Sequence, residues 1–296
     1  IHVMTQKGRG YTPAEEDIAD RFHAVGRIHP ETGLPIAPAR FAWTSVFADE
    51  IRKLAHERDD IVGVTAAMML PVGLGPFKDD YPDRVVDVGI AEQHAVAAAA
   101  GMAFAGAHPV FAVYATFLNR AFDQILMDVG LHHCGVTFVL DRAGITGDDG
   151  ASHNGMWDIS MLNSVPGLRL AAPRDEATLR EELREAVAVG DAPTVLRYPK
   201  GALNDPIVHL RREGGCDVLK DWDEKSALPR VCIVALGSMV PAALESAALL
   251  EDEGKATVRV VDPRWALPVP EALVSLAEGA DLVLSVEDGL VDGGFG

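Results

Sequence analysis

The run GVTFVLDRAGITGDDG, Gly135 to Gly150, decides how the chain is folded. Its first half is apolar and β-branched, without the strict alternation of a strand that has one wet face. It therefore reads as a strand covered on both sides, as in a parallel sheet sandwiched by helices. From Asp141 the run turns polar and glycine-rich. In an open parallel sheet, ligands bind beyond the carboxyl ends of the strands, so the end of this strand is also where chemistry is expected.

The same rhythm extends on both sides. IVGVTA (61–66), VVDVG (85–89), PVFAVYA (109–115), LRLAAP (168–173) and TVLRYP (194–199) read as strands. Between them lie segments of helical length: TSVFADEIRKLAHERD, ATFLNRAFDQILMDVGL and DEATLREELREAVAVG. In the last of these, Leu179, Leu183, Ala186 and Val187 recur at helical spacing with Arg and Glu opposite, an amphipathic helix. Strands alternating with helices predict an α/β fold with a mostly parallel sheet. Residues 1–40 read as a connector and 206–229, polar and glycine-punctuated, as a linker. Beyond it the β-α-β rhythm restarts over 230–296, too briefly for a full second core. No internal repeat or low-complexity tract is present.

Composition excludes several classes of function. The 296 residues carry a formal charge of −18, from 26 basic and 44 acidic side chains, which argues against nucleic acid or an anionic membrane as partner. Any anionic ligand needs a local basic site. The three cysteines have no CxxC spacing, which suits a reducing, cytoplasmic setting. His132, His133 and Cys134 are adjacent and point different ways, a poor metal site. There is no apolar run of roughly 18 residues and no secretory leader pattern. KGRGY and DGGFG lack the strand and helix that give a nucleotide loop its meaning. A chain beginning at Ile1 is expected to have been cut from something longer.

The segments that follow the strands carry the candidate chemistry. In GIAEQH, Glu92 stands where a nearly all-Ala/Val helix begins. It is either a helix-start acid stabilised by free N–H groups, or a desolvated acid suited to proton exchange. In YATFLNRAFDQ, Phe117 and Arg120 share a helix face, beside Tyr114, as a ligand-binding pair or as a core ring beside a surface cation. In DRAGITGDDGASHNGMWD, Asp149 and His153 are spaced for a carboxylate to orient an imidazole, or for a solvated turn. RYPKG adds Arg197 and Lys200 to Arg120 and Arg142, cations able to gather round a phosphate.

Taken together, DVGIAEQHAVAAAAGMA, YATFLNRAFDQ, DRAGITGDDGASHNGMWD and RYPKG resemble the 1-deoxy-D-xylulose-5-phosphate synthases, a thiamine-diphosphate-dependent, transketolase-like family. The resemblance is collinear along the whole chain. It implies the end of a diphosphate-binding domain and connector over 1–40, a pyrimidine-binding domain over 41–205, the linker, and a truncated C-terminal transketolase-like domain over 230–296. It further implies condensation of pyruvate with D-glyceraldehyde 3-phosphate to 1-deoxy-D-xylulose 5-phosphate and CO2. That reaction opens the non-mevalonate isoprenoid route and feeds thiamine and pyridoxal synthesis.

By resemblance, Glu92 hydrogen-bonds a ring nitrogen of the cofactor's aminopyrimidine and so activates it. Phe117 stacks on that ring, with Tyr114 and Ile90 beside it. Arg120 and Lys200 clamp the acceptor phosphate, Arg142 and Tyr114 also bind substrate, Asp149 and His153 hold the acceptor's hydroxyls and aldehyde, and His23 lies near the reacting carbons. The family binds Mg²⁺ and the cofactor's diphosphate through a Gly-Asp-Gly motif in its first domain and acts as a homodimer. This chain lacks that motif, since GDDG at Gly147 is not it. No metal ligand is therefore expected here, and the chain alone is expected to be nearly inactive, as a fragment or as one subunit of a split enzyme. Lys200 stands where many relatives have Arg, a point charge in place of a fork. Ser152 and Asn154 replace a commoner Thr and Gln, and Phe122 a commoner Tyr. Alternatives are a 2-oxoacid dehydrogenase beta subunit, a plain transketolase, or a non-catalytic assembly module.

Overall fold

The computed structural model describes residues 1–18, 21–22, 25, 27–36 and 42–296. The chain divides into two units, Ile1–Phe41 and Ala42–Gly296. In the first, a short helix, Thr12–Glu16, opens with a proline, and the Tyr11 ring meets Phe22 edge-on at 5.8 Å. The second carries the sheets, built from strands β1 (Ile61–Thr65), β2 (Val85–Asp87), β3 (His108–Tyr114), β4 (Thr137–Asp141), β5 (Arg169–Ala171), β6 (Thr194–Tyr198), β7 (Arg211–Glu213), β8 (Cys216–Lys220), β9 (Arg230–Ala235), β10 (Thr257–Asp262), β11 (Trp265–Leu267) and β12 (Leu282–Val286).

The larger, 7-stranded sheet has the order β11-β5-β6-β4-β3-β1-β2. All its pairings are parallel except that of β11 with β5. Successive residues of β4 serve opposite faces, as the pleat requires. Phe138 and Leu140 join a core under the helix Glu92–Phe104, with Ala95, Val96 and Ala99, while Val139 joins one under the helices Trp43–Glu57 and Glu176–Val187. The latter core holds Phe47, Ile51, Leu54, Leu179 and Leu183. The Glu176–Val187 helix starts on a capping box, in which the Asp175 carboxylate accepts the Thr178 N–H at 2.9 Å.

Two expectations need correction. The segment 206–229 is not only a linker: it contains β7 and β8, which join the 5-stranded sheet β12-β9-β10-β8-β7. Gly214 and Gly215, both at positive φ, make the two-residue hairpin turn between them, a conformation that suits glycine. The second core is thereby thicker than the sequence suggests. The segment Ala115–Gly130 is not one helix but a succession: α-helical at Ala115–Leu118, 3-10 at Asn119–Ala121, α-helical at Phe122–Gln124 and π-helical at Ile125–Gly130.

Some buried polar groups inside the unit form chains of contacts. At the amino ends of β3, β4 and β6, His108 Nε2 lies 2.8 Å from Thr137 Oγ1, itself 2.8 Å from Thr194 Oγ1. Where the two sheets meet, Arg174 donates to Asp217 at 2.8 Å and to Asp262 at 2.7 Å, all three buried. Burial, reinforced by the Arg58 charge, pushes the His108 imidazole down to about 4. Burial likewise raises Asp262 to about 6 despite Arg174.

The two shifts have opposite consequences. The unfolded chain binds a proton at His108 before the folded one does, so the stability this site contributes is present above about pH 6.5 and is lost as pH falls toward 4. Asp262 acts in the reverse sense in the overlapping window, so the His108 contribution is read as a difference between proteins. Replacing His108 by Gln should remove an acid-induced loss of about 3 kcal/mol between pH 6.5 and 4, measured by urea unfolding of both proteins at each pH. Replacing Arg174 by Met should lower stability by about 3–5 kcal/mol at pH 8, because it strands buried carboxylates. The loss should shrink at pH 5, where Asp262 is protonated.

Candidate active site

The site lies where β2, β3, β4 and β6 end. At the end of β2 the Asp87 carboxylate accepts the N–H groups of Gly89 and Ala67, at 2.9 and 2.7 Å, which fixes the turn leading to Glu92. Ala91 precedes the helix without capping it through a side chain, so Glu92 sits in the first turn among free N–H groups. The side chain is 2% exposed, so Glu92 starts the helix and is buried at the same time. Arg120 Nε approaches Glu92 Oε2 to 3.5 Å, an ion-pair distance without hydrogen-bond geometry. Oε2 has no hydrogen-bond partner among the described residues.

Tyr114 ends β3, and its ring stacks on Phe117 at 6.2 Å and 16°. Phe117 meets the His153 ring edge-on at 5.6 Å. The Arg142 guanidinium lies over the Tyr114 ring, 3.9 Å from its centroid. Arg142 itself adopts a φ of 62°, the left-handed region that residues bearing a Cβ avoid, immediately after β4. Its Nη1 donates to the buried Asp141 at 2.7 Å, and Asp141 also accepts from Thr44 Oγ1 at 2.5 Å. Burial raises the Asp141 carboxyl, opposed by Arg142 and Thr44.

The loop beyond Arg142 folds back on itself. Gly155 N–H donates to the Gly144 carbonyl at 2.8 Å, and a Cβ at Gly155 would lie 2.7 Å from the Arg142 carbonyl oxygen, so only glycine permits the approach. Thr116 Oγ1 ties the loop to the helical run by donating to the Ser152 carbonyl at 3.1 Å. Asn154 Oδ1 accepts from Thr146 N–H and Oγ1, at 3.0 and 3.1 Å. Asp149 accepts from Lys200 Nζ at 2.5 Å and lies 3.8 Å from Arg142 Nε.

The residues expected from the sequence are thus largely brought together, with revisions. Glu92 and Arg120 form one contact; Tyr114, Phe117, His153, Arg142, Asp149 and Lys200 form a chain of contacts. Asp149 does not orient His153: the His153 Nδ1 is 3.0 Å from Ser152 Oγ, and Asp149 is held by cations instead. Arg197 is not a free phosphate cation. It is buried, donating to Asp158 and to Asp288 at 2.6 Å each. Burial alone would depress its pKa, and the two carboxylates outweigh that effect and keep it charged. Ile90 is 77% exposed beside Glu92. His23 lies outside the described residues. Among the described residues no group of three His, Cys, Asp or Glu side chains is placed to hold a metal ion, and no helix is long and apolar enough to cross a membrane. Thr44, Asp158 and Asp288 are contributors that sequence patterns do not single out.

Comparison with known proteins identifies the family of the chain. The family model described as transketolase, pyrimidine binding domain, matches residues 39–206, and that described as transketolase, C-terminal domain, matches 221–296. A 1-deoxy-D-xylulose-5-phosphate synthase of Streptomyces griseus is 62% identical over 296 residues, covering 100% of this chain and 46% of its own length. One from Renibacterium salmoninarum is 58% identical over 298 residues, covering 100% and 45%. The chain therefore spans about half the length of the curated relatives it matches. A solved split-gene transketolase, described as an inactive beta4 tetramer, superposes with a TM-score of 0.75 at 29% identity, covering 87% of this chain and 83% of its own. By the match over 39–206, the chain belongs to the transketolase pyrimidine-binding domain family, here followed by a transketolase C-terminal domain.

Proposed function

We propose that this chain supplies the pyrimidine-binding and acceptor-binding half of a 1-deoxy-D-xylulose-5-phosphate synthase, which condenses pyruvate with D-glyceraldehyde 3-phosphate to give 1-deoxy-D-xylulose 5-phosphate and CO2. The reading is supported by relatives 58–62% identical over the whole chain that bear that name. The observation that carries it is the buried Glu92 carboxylate, whose Oε2 has no hydrogen-bond partner among the described residues and lies 3.5 Å from Arg120, three residues past Phe117 of the stacked pair Tyr114 and Phe117. A carboxyl oxygen that must meet a donor, near aromatic faces, fits a protonated or amino-substituted heteroaromatic ring such as the pyrimidine of thiamine diphosphate. When bound, that cofactor supplies the electron sink that decarboxylation needs. Its diphosphate and Mg²⁺ are held by a part of the enzyme outside this chain, in the same polypeptide or in a partner, and the working enzyme is a cytoplasmic homodimer.

The chain's own residues bind, orient and move protons. Glu92 accepts a hydrogen bond at Oε2 from the ring, where burial keeps competing water away. Phe117 and Tyr114 supply the flat surface, with Ile90 at the rim. Arg142, fixed over Tyr114, and Lys200 face the acceptor through Asp149, which they hold between them. The acceptor's phosphate takes Lys200, with Arg120 as the second cation, and so releases Asp149 toward the acceptor's hydroxyls. His153, its Nδ1 at Ser152, presents its other nitrogen to the aldehyde oxygen and hands it a proton.

In the complete enzyme, replacing Glu92 by Gln should lower kcat at least about 100-fold, with the melting temperature unchanged or raised because a buried charge is removed. Product formation from pyruvate and D-glyceraldehyde 3-phosphate, followed by chromatography, is the measurement; wild-type turnover in that variant would exclude the role. Replacing Lys200 by Ala should raise KM for the phosphorylated aldehyde about 10- to 100-fold. It should leave KM for unphosphorylated glyceraldehyde unchanged, and Lys200→Arg should restore the difference.

A further inference from the structure

The loop Asp141–Asp158 holds Arg142, Asp149 and His153, yet it is pinned from the far sheet as well as its own. Its last residue, Asp158, is buried and accepts from Arg197 Nε at 2.6 Å. Arg197 stands on β6, ahead of Lys200 in the sequence, and its Nη1 donates to Asp288 at 2.6 Å. Asp288 comes from the second sheet, just beyond the end of β12. It also touches the loop's first half: a Cβ at Gly144 would overlap the Asp288 carboxylate, and Gly144 has a φ of 73° that other residues adopt with strain. Gly144 is the residue whose carbonyl accepts from Gly155 and closes the loop.

The turn that presents Asp288 is itself built firmly. The neighbouring Glu287 carboxylate accepts the N–H groups of Phe295 and Gly296, at 3.0 and 2.9 Å, and so closes the turn into a ring. Ser160 Oγ, two residues past Asp158, donates to the Asp292 carbonyl at 2.8 Å. The turn therefore grips the loop at Gly144 and again at Asp158–Ser160, the two points that set its width.

Resting on the function proposed above, we propose that Asp288 is a positioning residue for the acceptor: by bridging Arg197 and Gly144 it makes the second sheet set the width of the loop that carries Arg142, Asp149 and His153. Arg197 is charged and buried between two acids, so removal of one leaves a neutral pair with Asp158 and the fold intact. Asp288 is the partly exposed member of the three, at 15% against 3% and 0% for Arg197 and Asp158, which makes it the one that can be changed cleanly.

The test compares wild type with Asp288→Asn and Asp288→Glu in the complete enzyme, by hydrogen exchange and by steady-state kinetics. In Asp288→Asn the amides of 142–156 should exchange at least about 10-fold faster, with those of β3, β4 and β10 unchanged. KM for D-glyceraldehyde 3-phosphate should rise at least about 5-fold while KM for pyruvate stays within about 2-fold of wild type, and Asp288→Glu should recover part of the loss. Unchanged loop exchange overturns the positioning, as does loosening that spreads equally through the second sheet or raises both KM values together. Wild-type enzyme that makes no 1-deoxy-D-xylulose 5-phosphate overturns the proposed function instead, and the exchange comparison still decides whether Asp288 holds the loop.

Discussion

The constraint on which the rest depends is the register of three parallel strands. Tyr114 of β3 lies opposite Asp141 of β4, which lies opposite Tyr198 of β6. The three strands therefore end level, and the chain leaves each of them at the same height. Arg142 follows one end, Lys200 another, and Phe117 the third. A slip of one residue would turn every side chain to the other face and separate these ends. Phe138 and Leu140 fill the core on one side and Val139 that on the other, so a slip would exchange side chains of different size between two close-packed cores.

Charge is distributed by the same frame. Arginines dominate the ion pairs between elements, and several of them join segments far apart in sequence, such as Arg180 and Arg184 to Glu50, Arg174 to Asp262 and Arg197 to Asp288. The planar fork of Arg suits such bridging, because one side chain can serve two carboxylates at once. Lysine is used differently at the site: Lys200 holds Asp149 by one mobile ammonium. A point charge on a flexible stem exchanges partners more readily than a fork does, which suits the exchange of Asp149 for a phosphate that we propose for Lys200.

Much of this arrangement is legible in the amino-acid sequence. The strands of the larger sheet, the helix Glu176–Val187 and the contacts among Tyr114, Phe117 and Arg142 lie where apolar runs and the polar segments after them point. The failures have physical causes. β7 is Arg-Arg-Glu, an edge strand whose charged side chains face water and so carry no apolar signature; the Gly214–Gly215 turn beside it is the one clue. Arg197 reads as a site cation because nothing local supplies its partners, Asp158 and Asp288, the latter a domain away. Yet an arginine inside the apolar run TVLRY sits in a strand buried throughout its length, and a buried guanidinium requires acids. His153 and Asp149 share a loop, and spacing alone does not reveal that Lys200 reaches Asp149 first.

Glu92 shows why a site is the place where such rules are broken. A buried carboxylate oxygen without a hydrogen bond costs about 1–3 kcal/mol, and the unit bears this as well as a left-handed Arg142 at the end of β4. A water-filled or fully paired site would be more stable and less useful, since a ligand would first have to displace the existing partner. In the role we propose for Glu92, leaving Oε2 unpaired makes the protein's deficit part of the ligand's binding energy, released by a group able to donate a hydrogen bond. Arg120 is held at 3.5 Å, an ion-pair distance that leaves the oxygen without a hydrogen bond. The rigid helix start behind Glu92 and the level strand ends beside it keep that oxygen from relaxing toward a partner of its own, and selectivity for a donor follows from that rigidity.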